Sequence, residues 1–134
     1  MKELAQTWAD IKYFKSYEFD SKDAPGSGCN MNLDFVRKLD KLREAVKVPL
    51  IIHSGYRTAE HNALVGGVDS SAHETGHAAD IGALSSGLRF RIVEAALRLG
   101  FRRVGIGNGF VHIDDDITKP QDMVWLYPPS AKRT

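Results

Sequence analysis

Histidines and carboxylates are concentrated in one short stretch, residues 71–81, which reads S-A-H-E-T-G-H-A-A-D-I. His73 and Asp80 can both bind a divalent cation, and His112 offers a second imidazole from an apolar run further along the chain. Two imidazoles and one carboxylate leave one position of a tetrahedral zinc ion open for water, which is the arrangement of catalytic zinc sites. We therefore interpret His73, Asp80 and His112 as candidate metal ligands.

A second interpretation of the same stretch stays open. Residues 73–77 spell H-E-x-x-H, a motif whose two histidines bind one zinc ion from the same face of a helix. Gly76 opposes a helix at this position, because glycine in a helix interior costs about 1 kcal/mol relative to alanine. We expect instead a loop followed by a short buried strand over residues 78–81. Replacing Asp80 or His77 distinguishes the two ligand sets.

Hydrophobic periodicity and turn signals predict the helices and strands that position these residues. Asn32 and Thr58 are predicted to cap helices that follow them, and Asn108-Gly109 is a strong signal for a hairpin turn. The pattern predicts helices over residues 33–46, 59–65 and 88–99, and strands over residues 48–53, 78–81, 102–107, 110–114 and 123–127. We predict one α+β domain over residues 1–134, with a small antiparallel sheet, flanking helices, an irregular segment 1–31 and a loose tail 130–134.

Composition excludes several classes of function. The 134 residues carry a formal net charge of +1, so nothing favours nucleic acid as a partner. No apolar run approaches the roughly 20 residues of a membrane span, and the first residues lack the apolar core of a secretory signal. We therefore expect a monomeric protein made in the cytoplasm, with no membrane partner. The single cysteine, Cys29, permits no internal disulfide.

The three clusters together resemble the M15 peptidases. The pattern S-x-H-x-x-G-x-A-x-D at residues 71–80 is preceded by S-G-Y-R at residues 54–57 and followed by H-I-D at residues 112–114. Members of this family include zinc D-Ala-D-Ala carboxypeptidases and phage L-alanyl-D-glutamate endopeptidases. The resemblance implies their fold, which the hedgehog signalling domain shares, and zinc bound by the same two histidines and aspartate.

The resemblance also implies a set of substrate-binding residues. Arg57 corresponds to the arginine that holds the substrate carboxylate in the family, and a guanidinium can bind a carboxylate through two parallel hydrogen bonds. A structural ion pair is the other interpretation of Arg57. Ser71, which opens the central motif, and Trp125, which can line the cleft, complete the expected set.

The general base is where this sequence departs from the family pattern. Many members carry an acidic residue three positions before the second zinc histidine, and here that position is Gly109. Asp114 is our first candidate, because residues two apart on a strand project from the same face and Asp114 follows His112 at that distance. Asp114 can equally serve to orient the imidazole. Glu74, adjacent to His73, is the second candidate.

The expected function is zinc-dependent hydrolysis of peptidoglycan peptides, by a D-Ala-D-Ala carboxypeptidase or by an endolysin-type endopeptidase that reaches the cell wall after release. Two alternatives stay open. One is a zinc-binding module of the same fold without catalysis, which Gly109 favours. The other is a protease of the H-E-x-x-H type.

Overall fold

The computed structural model describes residues 7–129. It contains three α-helices, α1 (Leu33–Val46), α2 (Ala59–Leu64) and α3 (Ser86–Arg98), and five strands, β1 (Ile52–Ser54), β2 (Ala78–Gly82), β3 (Arg103–Ile106), β4 (Phe110–Asp114) and β5 (Met123–Leu126). The predicted tail 130–134 and the start of the chain, residues 1–6, lie outside the described residues. Within that range, no helix has the length and apolar character needed to cross a membrane.

Helices α1 and α2 begin at the residues that the sequence indicates. The Asn32 side chain accepts a hydrogen bond from the Phe35 N–H at the start of α1, and Thr58 caps α2 in the same way. Helix α3 begins earlier than predicted, because Ser85 accepts from the Leu88 N–H and acts as its cap. The helix also ends one residue before the predicted end at Leu99, which follows the last helical residue and is 41% exposed.

The strands form one mixed sheet in the order β1-β2-β4-β3-β5. All pairings are antiparallel except that of β3 with β5, which is parallel. Strand β4 already has a neighbour on each side, so the chain that leaves it adds the next strand, β5, at the open edge of β3. The predicted α+β class is confirmed, with this one parallel pair in place of a purely antiparallel sheet.

Strand β1 is shorter than the predicted strand 48–53. Pro49 has no backbone N–H to donate, and the pairing of β1 with β2 is irregular between Ile52 and Ser54. The predicted hairpin between β3 and β4 is present, since the Gly107 N–H donates to the Phe110 carbonyl and Gly109 has a φ of +87°.

The two faces of the sheet have different roles because side chains alternate along each strand. Ile81, Val111, Ile113 and Val104 belong to the hydrophobic core, together with the buried faces of α1 and α3. The residues between them project from the opposite face. That second face carries the polar residues that the sequence analysis singles out.

One row of directly paired residues crosses all five strands on this polar face. Ser54 pairs with Asp80, Asp80 with His112, His112 with Gly105, and Gly105 with Trp125. A Cβ at position 105 would lie 2.6 Å from Nε1 of Trp125, so glycine leaves the room that this ring needs beside the histidine. The sheet therefore brings residues from distant parts of the sequence into one line.

The N-terminal segment is less irregular than predicted. Its described part, residues 7–31, contains three short 3-10 helices, and Phe14 and Phe19 are buried in the core, although Tyr17 is 70% exposed. The Phe19 carbonyl accepts a hydrogen bond from the Tyr56 N–H, and a Cβ on Gly55 would lie 2.7 Å from the Phe19 side chain. This packing fixes the chain that leads from β1 to Arg57.

The segment between α2 and β2, which carries the central motif, is a series of turns. Gly76 has a φ of +78°, and a Cβ there would lie 2.5 Å from the Asn30 carbonyl oxygen. The Gly76 carbonyl also accepts a hydrogen bond from the Asn32 N–H. Because Gly76 is in the left-handed region and pressed against the N-terminal segment, residues 73–77 do not form a helix.

We predict that Gly76→Ala lowers the free energy of unfolding by about 1–3 kcal/mol or more, because a Cβ adds backbone strain and a steric clash. Urea unfolding of the metal-free protein measures the effect. Gly87→Ala is the matched control: Gly87 lies in α3 with no atom within 4 Å of the added Cβ, so its stability should be unchanged or slightly higher. Equal stability of the two variants would contradict this account of the loop.

Candidate metal centre

Three of the predicted site residues meet in space. His73 comes from the loop before β2, Asp80 from β2 and His112 from β4, and all three side chains are buried. Each offers one ligand atom, and these atoms lie within 4.8 Å of one another. The structure thus brings together the three residues that the sequence analysis proposed as metal ligands.

His73 is oriented by the backbone. Its Nδ1 lies 2.7 Å from the Gly55 carbonyl oxygen, which can only accept, so Nδ1 carries the proton and donates. Burial lowers the pKa of this histidine, which keeps the ring neutral and leaves a lone pair on Nε2. That buried nitrogen has no hydrogen-bond partner within the described range 7–129, although Oδ1 of Asp80 lies 3.3 Å away. Nε2 of His73 and Oδ1 of Asp80 are both acceptors, and a cation between them would stabilise their close approach in this buried site.

His112 is held between two carboxylates. Its Nε2 lies 2.7 Å from Oδ2 of Asp114, and its Nδ1 lies 2.8 Å from Oδ1 of Asp80. Burial opposes the charged ring, but the hydrogen bonds with Asp114 and Asp80 outweigh it and raise the pKa of His112. A metal ion bound at Nδ1 must displace the proton that the metal-free protein holds there.

Asp80 stays ionised in its buried position. Burial alone raises the pKa of a carboxyl, but the charges and hydrogen bonds of His73 and His112 reverse this and hold the pKa of Asp80 well below its usual range. Its second oxygen, Oδ2, lies 3.1 Å from Nη2 of Arg57, and both side chains are fully buried. One carboxylate oxygen therefore faces the histidines while the other is neutralised by a guanidinium.

The donor set fits zinc. Imidazole nitrogens and a carboxylate oxygen are common zinc ligands at about 2.0–2.2 Å, so two ligand atoms of a tetrahedral site lie about 3.3 Å apart. Oδ1 of Asp80 lies 3.3 Å from Nε2 of His73 and 2.8 Å from Nδ1 of His112. Because Nε2 of His73 also lacks a hydrogen-bond partner among the described residues, His73, Asp80 and His112 could together hold one zinc ion.

Arg57, like Asp80, is fully buried. Nε donates to Oγ of Ser54, Nη1 to Oδ1 of Asn62 and Nη2 to Asp80. Asn62 in turn donates to a carboxylate oxygen of Glu74 at 2.8 Å. The structure thus shows the ion pair that was the other interpretation of Arg57, and a role in holding the substrate carboxylate stays a prediction.

A cleft of about 180 Å³ opens beside the metal centre. Three predicted site residues, Ser71, Asp114 and Trp125, line it next to His112, while Glu74 is not part of its wall. Ser71 is buried, and its Oγ accepts from the His73 N–H. The cleft wall also contains Arg103, Lys119 and Tyr127, which the sequence analysis missed.

The position of Arg103 on the polar face could have been predicted from the sequence. Arg103 precedes Gly105 by two positions on a strand, so it projects from the same face as His112. Nothing in the sequence places Lys119, because its position depends on how the loop after β4 folds back.

His77 lies outside the metal centre. Its Nδ1 is 2.7 Å from Oδ1 of Asp115, which also binds Lys38. The helix that the H-E-x-x-H interpretation requires is absent from the described part of the chain, where residues 73–77 form turns. The structure therefore supports Asp80 rather than His77 as the partner of His73.

Two imidazoles and one carboxylate that could hold a metal ion, beside a cleft, are the arrangement found in zinc hydrolases. A profile of the family Peptidase M15 matches residues 12–114, which is most of the chain. The chain belongs to the M15 peptidases, which confirms the predicted family.

A curated relative supports the same assignment. The chain is 38% identical over 74 residues to the zinc D-Ala-D-Ala carboxypeptidase of Streptomyces albus G. The aligned part covers 54% of this chain but 28% of that enzyme, so the similarity concerns only a fraction of the relative's length.

We predict that purified protein retains about one zinc ion per chain after dialysis, that Asp80→Ala retains almost none, and that His77→Ala retains as much as the wild type. Metal analysis by mass spectrometry measures the content. Because Asp80→Ala leaves the buried Arg57 charge unpaired, Asp80→Asn is a second variant of nearly unchanged volume, and circular dichroism checks its fold. Loss of zinc in His77→Ala but not in the Asp80 variants would contradict the assignment.

Proposed function

We propose that the chain is a zinc-dependent peptidase that hydrolyses peptide bonds of peptidoglycan. The observation that carries the proposal is the cluster of three buried ligand atoms beside an accessible cleft, whose wall includes one of the three residues, His112. A purely structural zinc site is closed by four protein ligands, whereas three ligands beside a cleft leave room for water and substrate. The peptidoglycan substrate rests on the name of the Streptomyces relative. Its site of action would then be the cell wall.

Zinc at such a centre supplies Lewis acidity and lowers the pKa of water toward about 7. The protein's part is to keep the ligands in the required protonation states. The Gly55 carbonyl fixes the proton of His73 on Nδ1, and Asp114 fixes a proton of His112 on Nε2, so each ring directs its other nitrogen to the metal. Arg57 holds Asp80 so that one carboxylate oxygen faces the two rings.

Of the two candidate bases, the geometry favours Asp114. Asp114 lines the cleft, and the hydrogen bonds and charge of His112 outweigh its burial and lower its pKa, so that its carboxylate is ionised at neutral pH. Glu74 accepts a hydrogen bond from Asn62, which also accepts one from Arg57, and this supports a role in holding Arg57. In this proposal Asp114 both orients His112 and receives the proton of the attacking water.

The second candidate function, a zinc-binding module without catalysis, rests on Gly109. This residue occupies the tight turn between β3 and β4 with a φ of +87°, a conformation that an acidic residue adopts only with strain. The turn therefore excludes the base position that many family members use, and catalysis depends on a carboxylate elsewhere in the cleft.

Digestion of purified peptidoglycan tests the proposal. Zinc-loaded protein should release peptide fragments whose new termini, read by mass spectrometry, identify the bond and so distinguish a carboxypeptidase from an endopeptidase. Chelation of zinc should abolish release, and zinc-loaded Asp114→Asn should slow it by about 100-fold or more, the usual contribution of a general base. One zinc ion per chain with no turnover of any peptidoglycan fragment would instead support the non-catalytic module.

A further inference from the structure

We propose that Arg103 and Lys119 form a subsite that binds a free carboxylate of the peptide substrate. The inference rests on the proposed function and names the substrate class: peptides with an unblocked carboxylate close to the scissile bond. Both residues line the cleft that His112 and Asp114 also line. In the sequence analysis this role was expected of Arg57.

Arg57 is engaged inside the protein. Its guanidinium is fully buried, and all three of its nitrogens donate to neighbouring side chains, among them Oδ2 of Asp80. It is absent from the residues that line the cleft. A substrate carboxylate that bound Arg57 would compete with Asp80, whose negative charge the metal centre needs.

Arg103 presents a fixed guanidinium to the cleft. Nε donates to Oδ1 of Asp114 at 2.7 Å, Nη1 donates to the Pro120 carbonyl at 2.6 Å, and the group lies 4.8 Å from the centroid of the Trp125 ring. These three contacts set its plane, and Nη2 has no hydrogen-bond partner among residues 7–129. A donor with a fixed direction loses little conformational entropy when it binds a carboxylate.

Lys119 supplies a second cation from the loop after β4. Its Nζ donates to the Ser70 carbonyl at 2.8 Å and to Oδ2 of Asp116 at 2.6 Å, which leaves one of its three N–H groups for a ligand. Burial opposes ionisation of Asp116, but hydrogen bonds with Lys119 and Thr118 lower its pKa to about 2, so this anchor stays charged. Because Pro120 follows Lys119 and accepts from Arg103, the two cations are held on the same wall.

Arg103 and Lys119 each donate to a carboxylate of the protein, and each still has an N–H group that can donate to a ligand. Asp114 accepts from Arg103 and the Asp116 N–H with Oδ1 and from His112 with Oδ2, so it engages only one donor of Arg103 and keeps a lone pair of Oδ2 for the proton of water. A peptide carboxylate that enters the cleft therefore finds the remaining N–H groups of Arg103 and Lys119. In the stem peptides of peptidoglycan such a carboxylate is either the C-terminal one or the α-carboxylate of D-glutamate.

The test compares one synthetic stem peptide in three forms: both carboxylates free, the C-terminus amidated, and the glutamate carboxylate amidated. Binding to the zinc-loaded protein is measured by calorimetry, and kcat/KM by mass spectrometry of the products. The wild type should prefer the free acid over one of the two amides, and that amide identifies the carboxylate recognised. Arg103→Gln and Lys119→Gln should each reduce the preference by roughly 10-fold or more, since a hydrogen bond to a charged group is lost.

Arg102→Gln is the matched control. Arg102 is the adjacent arginine, its exposed side chain pairs with Asp122, and it does not line the cleft, so its substitution should leave the preference unchanged. Zinc content, measured for each variant, shows that the metal centre is intact.

If Arg103 serves only to position Asp114, Arg103→Gln will slow turnover of all three peptides equally and leave the preference intact, which would overturn the subsite while the proposed function stands. A wild type that neither binds nor cleaves any of the three peptides would overturn the proposed function and the subsite together. A wild type that binds without cleaving, with a preference that the two variants lose, would support the subsite and refute peptidase activity on these peptides.

Discussion

The direct pairing of Asp80 with His112 across β2 and β4 is the constraint on which the site depends. These positions face each other in adjacent strands, so their side chains meet on the polar face without any contribution from loops. A shift of one of these strands by one residue would turn its ligand side chain toward the hydrophobic core. The buried apolar residues that alternate with them, such as Ile81 and Val111, therefore fix the geometry of the metal centre as well as the core.

The second requirement is compensation of the buried charge on Asp80. Loss of one partner from a buried ion pair typically costs about 3–5 kcal/mol, because the remaining charge is left without solvent or counterion. In the metal-free protein, the Arg57 guanidinium compensates the charge at one carboxylate oxygen of Asp80, and the proton on His112 compensates it at the other. Exchange of that proton for a metal ion keeps the carboxylate compensated, which explains how one buried site can be stable in both states.

Local features of both fold and site could be predicted from the sequence. Asn32 and Thr58 cap the helices as their side-chain chemistry indicates, and Asn108-Gly109 forms the expected hairpin. The three metal-ligand candidates were identifiable because their residue types are rare in buried positions unless they are paired or bind metal.

Features that depend on long-range packing could not be predicted. The parallel placement of β5 follows from which sheet edge is left open, and the enclosure of Arg57 follows from the position of Asn62 and Ser54 around it. Lys119 reaches the cleft only because its loop is tied to Asp116 and Ser70. None of these contacts has a local signal in the sequence.

Diffraction from crystals of the zinc-loaded protein, recorded at the zinc absorption edge, tests the central claim most directly. The account predicts one anomalous peak per chain, bonded to Nε2 of His73, Nδ1 of His112 and a carboxylate oxygen of Asp80, with the cleft on its open side. A peak coordinated by His77, or an Asp80 side chain turned away from the ion, would contradict it.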